Sequence, residues 1–183
     1  LIIHDLISGK DSIIKYKTKS PAYWNDLFYE YENQLLYSYF TGLGKVSVYD
    51  LNKNEWIVKD ASLNTNGHNF GSAKFSFPQS NDLYLLGGYG WYSAKNDLLK
   101  YDFNQKEWKK VDLKKNEMTP RAWFTFGKGF NEGEFLIYGG LGNESGKQED
   151  GFKNYNDFFL LNLNDSTITK LKYPEKLSPN YSA

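Results

Sequence analysis

The chain has 183 residues, 22 basic and 22 acidic side chains, aromatics at 18%, and no cysteine. That length fits a single domain, and the balanced charge gives no global field for nucleic acid or an anionic membrane. Without cysteine there is no disulfide, no thiolate metal site and no thiol nucleophile.

No run reaches the roughly 18 apolar residues of a membrane span. The opening LIIHDLISGK is too short and too polar for a signal peptide, so the expectation is the interior of a longer protein. Residues 1–19 read as the second half of a repeat unit: Ile3-His4-Asp5-Leu6 matches Val48-Tyr49-Asp50-Leu51, and a turn at Ser8-Gly9-Lys10 leads into a further strand. Residues 20–59 form a full unit, opened by Ser20-Pro21-Ala22-Tyr23, with strands over 34–39, 45–51 and 55–59 and a compositional turn at Asn52-Lys53-Asn54.

A polar connector, 60–67, precedes a second unit over 68–111, in which Asn104-Gln105-Lys106 repeats the earlier turn. A second connector, 112–119, leads to Pro120-Arg121 and a third unit over 120–173. The expected strands of that unit are 122–127, 134–138, 157–163 and 167–172, and its loop over 141–156 is the longest in the chain. The tail, 174–183, carries Ser178-Pro179-Asn180-Tyr181, which echoes 20–23 and starts another unit.

The repetition has a measurable period. Tyr49 and Tyr101, Trp56 and Trp108, and Gly87 and Gly139 are each 52 positions apart, while Leu161 lies 60 beyond Tyr101 because the third unit has a longer loop after Gly140. A period near 50 residues signals an array or a propeller. An apolar run ending in Gly-Gly, a Tyr about 13 residues on and a Trp seven after that resembles the kelch repeat. It is clean in the second unit. In the third, Leu161 and Ile168 stand for the Tyr and the Trp, and in the first Tyr39-Phe40 stand at the Gly-Gly position. The resemblance covers nearly the whole chain. It implies an all-β, kelch-type β-propeller with three complete four-stranded blades and partial blades at both ends. Remaining blades would come from the parent chain or a partner chain, since propellers have four to eight.

The short apolar runs, rich in β-branched and aromatic residues and bounded by Gly, Asn and Asp, follow strand grammar. Gly87-Gly88 and Gly139-Gly140 are expected to end strands where the chain turns tightly or passes close to a neighbour. They are not a phosphate loop, because no Lys-Ser/Thr or helix follows. Trp56 and Trp108 share one repeat phase and are expected to pack between sheets.

In a meander of four strands the 2–3 and 4–1 loops leave at one end. Those loops, 41–44, 60–67, 89–96, 112–119 and 141–156, vary most, and binding residues concentrate on variable loops held by a rigid scaffold. In kelch proteins that end is commonly the partner face. The candidates are Trp91 and Tyr92, an aromatic pair outside the apolar phase that suits a sugar ring or a peptide. With them go His68, read as occupying Arg121's place one unit earlier, Arg121, the only arginine, and Asn143, Glu144, Gln148, Glu149 and Asp150 of the long loop. The acidic loop has no EF-hand spacing, and no metal or cofactor is expected.

The functional expectation is a non-catalytic recognition scaffold in a larger surface or sensor protein, with a protein or glycan partner on that face. The alternative is carbohydrate binding or mutarotase-type sugar chemistry. Copper galactose-oxidase chemistry needs a Cys–Tyr cross-link, and the chain has no Cys and only His4 and His68. No GxSxG or HExxH occurs. Absent thiols, the sequons at Asn143, Asn164 and Asn180 and the triplets at Asp11-Ser12-Ile13 and Asp165-Ser166-Thr167 favour an extracytoplasmic setting over a cytoplasmic one.

Overall fold

A computed structural model describes residues 2–15, 26–40, 45–59, 68–77 and 82–172. The loop at 41–44, the connector at 60–67, the start of the first full unit and the tail at 174–183 lie outside them. The described residues are all-β, with one 3-10 turn at Gln148–Asp150 and no α-helix.

A short hairpin comes first, β1 (Ile2–His4) against β2 (Asp11–Ile13), its turn held by Asp5, whose carboxylate accepts the Ile7 and Ser8 amides. Two four-stranded antiparallel meanders follow. The first is β3 (Asp26–Glu30), β4 (Leu35–Phe40), β5 (Lys45–Asp50) and β6 (Glu55–Lys59) in sequential order. The second is β7 (Ala73–Phe77), β8 (Asp82–Gly90), β9 (Ser93–Asp102) and β10 (Glu107–Lys110), also sequential. A third sheet runs in the order β11-β18-β17-β14-β13, from β11 (Lys115–Asn116), β13 (Thr125–Lys128), β14 (Glu134–Tyr138), β17 (Phe158–Asn162) and β18 (Thr167–Leu171). Among the described residues no sheet closes on itself.

Alternation along β8 explains how the sheets stack. Leu83 and Leu85 point one way and join Tyr37, Tyr39, Val46 and Val48 of the first sheet. Tyr84 and Leu86 point the other way and join Ile137, Phe159 and Leu161 of the third. The second sheet is therefore buried on both faces, as period-2 strands between two layers must be. Trp108 lies in the first of these interfaces, 3% exposed and edge-on to Tyr39 at 5.4 Å.

The repeat also appears in the turns between the last two strands. Asp50 accepts the Lys53 amide, Asp102 those of Asn104 and Gln105, and the Asn162 side chain that of Asp165. The positive φ falls at Asn54, Lys106 and Ser166, 57°, 55° and 56°. These positions keep the 52- and 60-residue spacings of the sequence.

Three expectations are corrected. The first strand of the third unit does not run from 122 to 127. It breaks at Trp123, which has φ 54°, and β12 (Arg121–Ala122) leaves the sheet to pair with β15 (Leu141–Gly142), which pairs in turn with β16 (Lys153–Asn154). Residues 112–119 are not a free loop. Their β11 adds a parallel strand to the outer edge of the next sheet, Lys115 opposite Thr167 and Asn116 opposite Ile168. Gly87-Gly88 do not end β8. They form a bulge inside it, at φ 62° and 104°, where a Cβ on Gly87 would stand 2.9 Å from the Arg121 carbonyl oxygen. Only Gly fits both that conformation and that approach.

Candidate functional site

The expected loop at 89–96 is a tight hairpin. β8 and β9 stay paired to Gly90 opposite Ser93, leaving Trp91 and Tyr92 as the two connecting residues. Their φ values are 53° and 58°. Two positive φ values in a two-residue loop define the type I′ turn, whose preferred residues are Asn-Gly because they tolerate the left-handed region. A bulky L-residue there costs roughly 1–2 kcal/mol. The rings nevertheless stand at the tip, 68% and 76% exposed.

The long loop folds onto this hairpin. The Ala94 amide donates to the Gly146 carbonyl at 2.7 Å, and the Gln148 amide to the Tyr92 carbonyl at 2.9 Å. The Tyr89 hydroxyl donates to Gln148 Oε1. The result is an open cleft of about 470 Å³, lined by Trp91, Tyr92, Ser93, Lys147, Gln148 and Glu149. His68 supports it from behind, its ring 4.4 Å from that of Trp91. The segment bearing His68 is pinned by Lys95, whose Nζ donates to the His68 carbonyl at 2.8 Å and to Asn69 Oδ1 at 2.9 Å. Burial lowers the pKa of that ammonium.

Thus Trp91, Tyr92, His68, Gln148 and Glu149 come together, and the remaining candidates do not join them. Arg121 is completely buried. Its five N–H bonds go to the Thr119 carbonyl and hydroxyl, the Gly139 carbonyl and both Asp157 oxygens, and the guanidinium lies 4.0 Å from the Tyr155 ring centroid. No donor is left over for a ligand. Asn143 is a staple of its own loop, donating to the Lys147 and Gly151 carbonyls. Asp150 accepts from Ser145, and Glu144 from the Tyr155 hydroxyl.

His68 is not the counterpart of Arg121. Phe70 bridges Tyr89 as Ala122 pairs with Leu141, and both partners move by 52 positions, so Asn69 matches Arg121 and Gly71 matches Trp123. The same left-handed position is held by Gly71 at φ 66° and by Trp123 at φ 54°. Trp123 is 56% exposed and lines a second open cleft, about 460 Å³, with Thr125, Tyr138, Leu141, Asn154 and Tyr155. Within the strand expected over 122–127, Trp123 reads as an ordinary strand residue. Laying 121–123 over 69–71 at the 52-residue period exposes it.

Among the described residues no three His, Cys, Asp or Glu side chains converge as a metal site, and no helix is long and apolar enough to cross a membrane. The chain matches no protein-family model and no curated protein sequence.

Proposed function

We propose that this chain is a stretch of kelch-type β-propeller that acts as a non-catalytic recognition scaffold, binding its partner at the face made by the Trp91-Tyr92 hairpin and the long loop. One observation carries this reading. A large, exposed aromatic pair is held in a backbone conformation that disfavours it, and the longest loop of the chain is hydrogen-bonded to that pair. Strain of this kind persists where surroundings over-determine it, and it concentrates at binding and catalytic sites. The 52-residue repeat, its recurring turn geometry and the stacked four-stranded meanders support the propeller assignment.

The test is a binding screen of wild type beside a variant carrying Trp91→Asn with Tyr92→Gly, against a peptide display library and a glycan array. Binders recovered by wild type and lost by the variant support the reading. Turnover of a substrate that disappears on Glu149→Gln would overturn it.

A further inference from the structure

We infer that the recognition face takes a neutral oligosaccharide, laid across two aromatic platforms, Trp91 and Trp123, on successive repeat units. The inference rests on the recognition reading above and adds the ligand class and the second platform.

Trp123 is the stronger clue. Its position in the repeat demands a left-handed backbone, and the preceding unit fills it with Gly71. An indole there gains no burial sufficient to explain it, since more than half of it faces solvent. The ring is nonetheless fixed. It lies against Gly71, where an added Cβ would come within 2.7 Å of the indole, and the Trp123 amide donates to the Gly71 carbonyl at 2.8 Å. Trp91 is built likewise, backed by His68 and open in front. Each is a supported flat ring with a free side.

Tyr89 joins the two clefts. Its ring is 5.9 Å from that of Trp123, and its hydroxyl is bonded to Gln148, which lines the cleft of Trp91. A pyranose has an apolar C–H face and a rim of hydroxyls. The first suits an indole, and the second suits amides, hydroxyls and a carboxylate. Gln148, Glu149 and Ser93 supply those groups at one platform, and Asn154, Thr125 and Tyr155 at the other.

Charge selects a neutral sugar. Uronates, sulfates and phosphates are held best by guanidinium forks. The only arginine is buried with every donor occupied, Lys147 in the first cleft has Glu149 3.7 Å away, and Lys153 beside the second lies over the Tyr155 ring, 5.1 Å from its centroid. Peptide side chains anchor in closed, desolvated pockets, whereas these are open troughs beside flat rings.

The experiment titrates the protein with cellohexaose, xylohexaose and mannohexaose, follows tryptophan fluorescence and heat, and includes hexagalacturonate and a peptide display library in parallel. Trp123→Gly installs the residue that the neighbouring unit already carries, so the fold is retained. The expected result is binding of at least one neutral hexasaccharide, weakened about tenfold or more by Trp123→Gly and by Trp91→Asn with Tyr92→Gly. Hexagalacturonate bound as tightly would overturn the neutral preference. Hexasaccharide binding unmoved by Trp123→Gly would overturn the second platform. No neutral hexasaccharide bound, with a peptide captured by wild type and lost by the hairpin variant, would overturn the sugar assignment while leaving the recognition reading standing. Nothing bound by wild type would overturn both.

Discussion

Arg121 Nη1 donates to Asp157 Oδ1 at 2.5 Å from a side chain with no solvent exposure, and this pair ties the start of the third unit to its third strand. Lys170 approaches Asp157 from the other side at 3.3 Å. The guanidinium also holds the carbonyl of Gly139, in the break between β14 and β15. One side chain thus closes three segments that lie far apart in sequence.

Removing one partner of a buried ion pair strands the other, at about 3–5 kcal/mol. Asp157→Asn is therefore expected to destabilise the fold by about that amount, because it leaves a fully buried cation facing an amide. Arg121→Lys should also destabilise, since an ammonium has three donors and no planar fork. Urea unfolding followed by tryptophan fluorescence measures both. A loss under about 1 kcal/mol for Asp157→Asn would place the pair among those that behave like surface pairs.

Asp5, Asp50, Asp102, Glu117 and Asp157 are all held below the ordinary carboxylate range, and two of them show how the acid side of the stability profile arises. Burial pushes the pKa of Asp157 up, but hydrogen bonds and charge from Arg121 and Lys170 outweigh it, and the net direction is down. Asp102 is held down to about 2, chiefly by the hydrogen bond from Lys109 and then by the amides of Gln105 and Asn104. A group whose folded pKa is depressed contributes stability above its unfolded value and loses it as pH falls through the folded value. The contribution of both groups is therefore complete above 3.8 and fades below it, for Asp102 down to about 2. Carboxyl NMR titration should find the Asp102 midpoint near 2, and Lys109→Met should raise it. An Asp102 midpoint at the ordinary value would show that the Lys109 contact does not hold in solution.

The connector between the second and third units acts as a latch. Asn96 Nδ2 donates to the Met118 carbonyl at 2.7 Å, and Asn116 Nδ2 donates to the Asn96 carbonyl at 2.9 Å. The Glu117 amide donates to the Ile168 carbonyl, and the Lys170 amide to Glu117 Oε2 at 2.7 Å. Asn96→Ala leaves the buried carbonyl of Met118 without that donor, at about 1–3 kcal/mol. Amide hydrogen exchange at Glu117 and Lys170 is expected to accelerate in this variant, while exchange in β3–β6 changes little. Equal acceleration in the first sheet would show that the latch is not a local element.

Strand identity and period were legible because apolar alternation and the 52-residue spacing are local signals. Trp108 sits in the interface that its repeat phase implies. What the sequence did not disclose depends on contacts between units. The strand at 122–127 alternates well enough, yet Trp123 breaks it because β12 is drawn to Leu141–Gly142 of the long loop. The connector at 112–119 looks like a polar loop, since a two-residue parallel pairing to an outer edge leaves almost no pattern. At the site, exposed aromatics and a long loop pointed to Trp91, Tyr92, Gln148 and Glu149. Arg121 is a candidate as the only arginine and Asn143 for its place in the long loop, and neither ground tells an occupied donor from a free one.

The hairpin offers the most direct check that its rings are kept at a cost to stability. Replacing Trp91-Tyr92 with Asn-Gly supplies the residues a type I′ turn prefers, relieving roughly 1–2 kcal/mol at each bulky residue. Against this stand the loss of the His68–Trp91 ring contact, worth about 0.5–1.5 kcal/mol, and the added freedom of Gly in the unfolded chain, about 0.5–1 kcal/mol. At the midpoints of these ranges the relief exceeds the costs by about 1 kcal/mol, so the variant is expected to be more stable than wild type, read as a higher urea midpoint. Trp108→Ala, at the buried end of the same unit, should instead lose about 3–5 kcal/mol. If the Asn-Gly hairpin unfolded more easily than wild type, Trp91 and Tyr92 would be packing residues of the long loop, and their backbone strain would no longer point to a ligand.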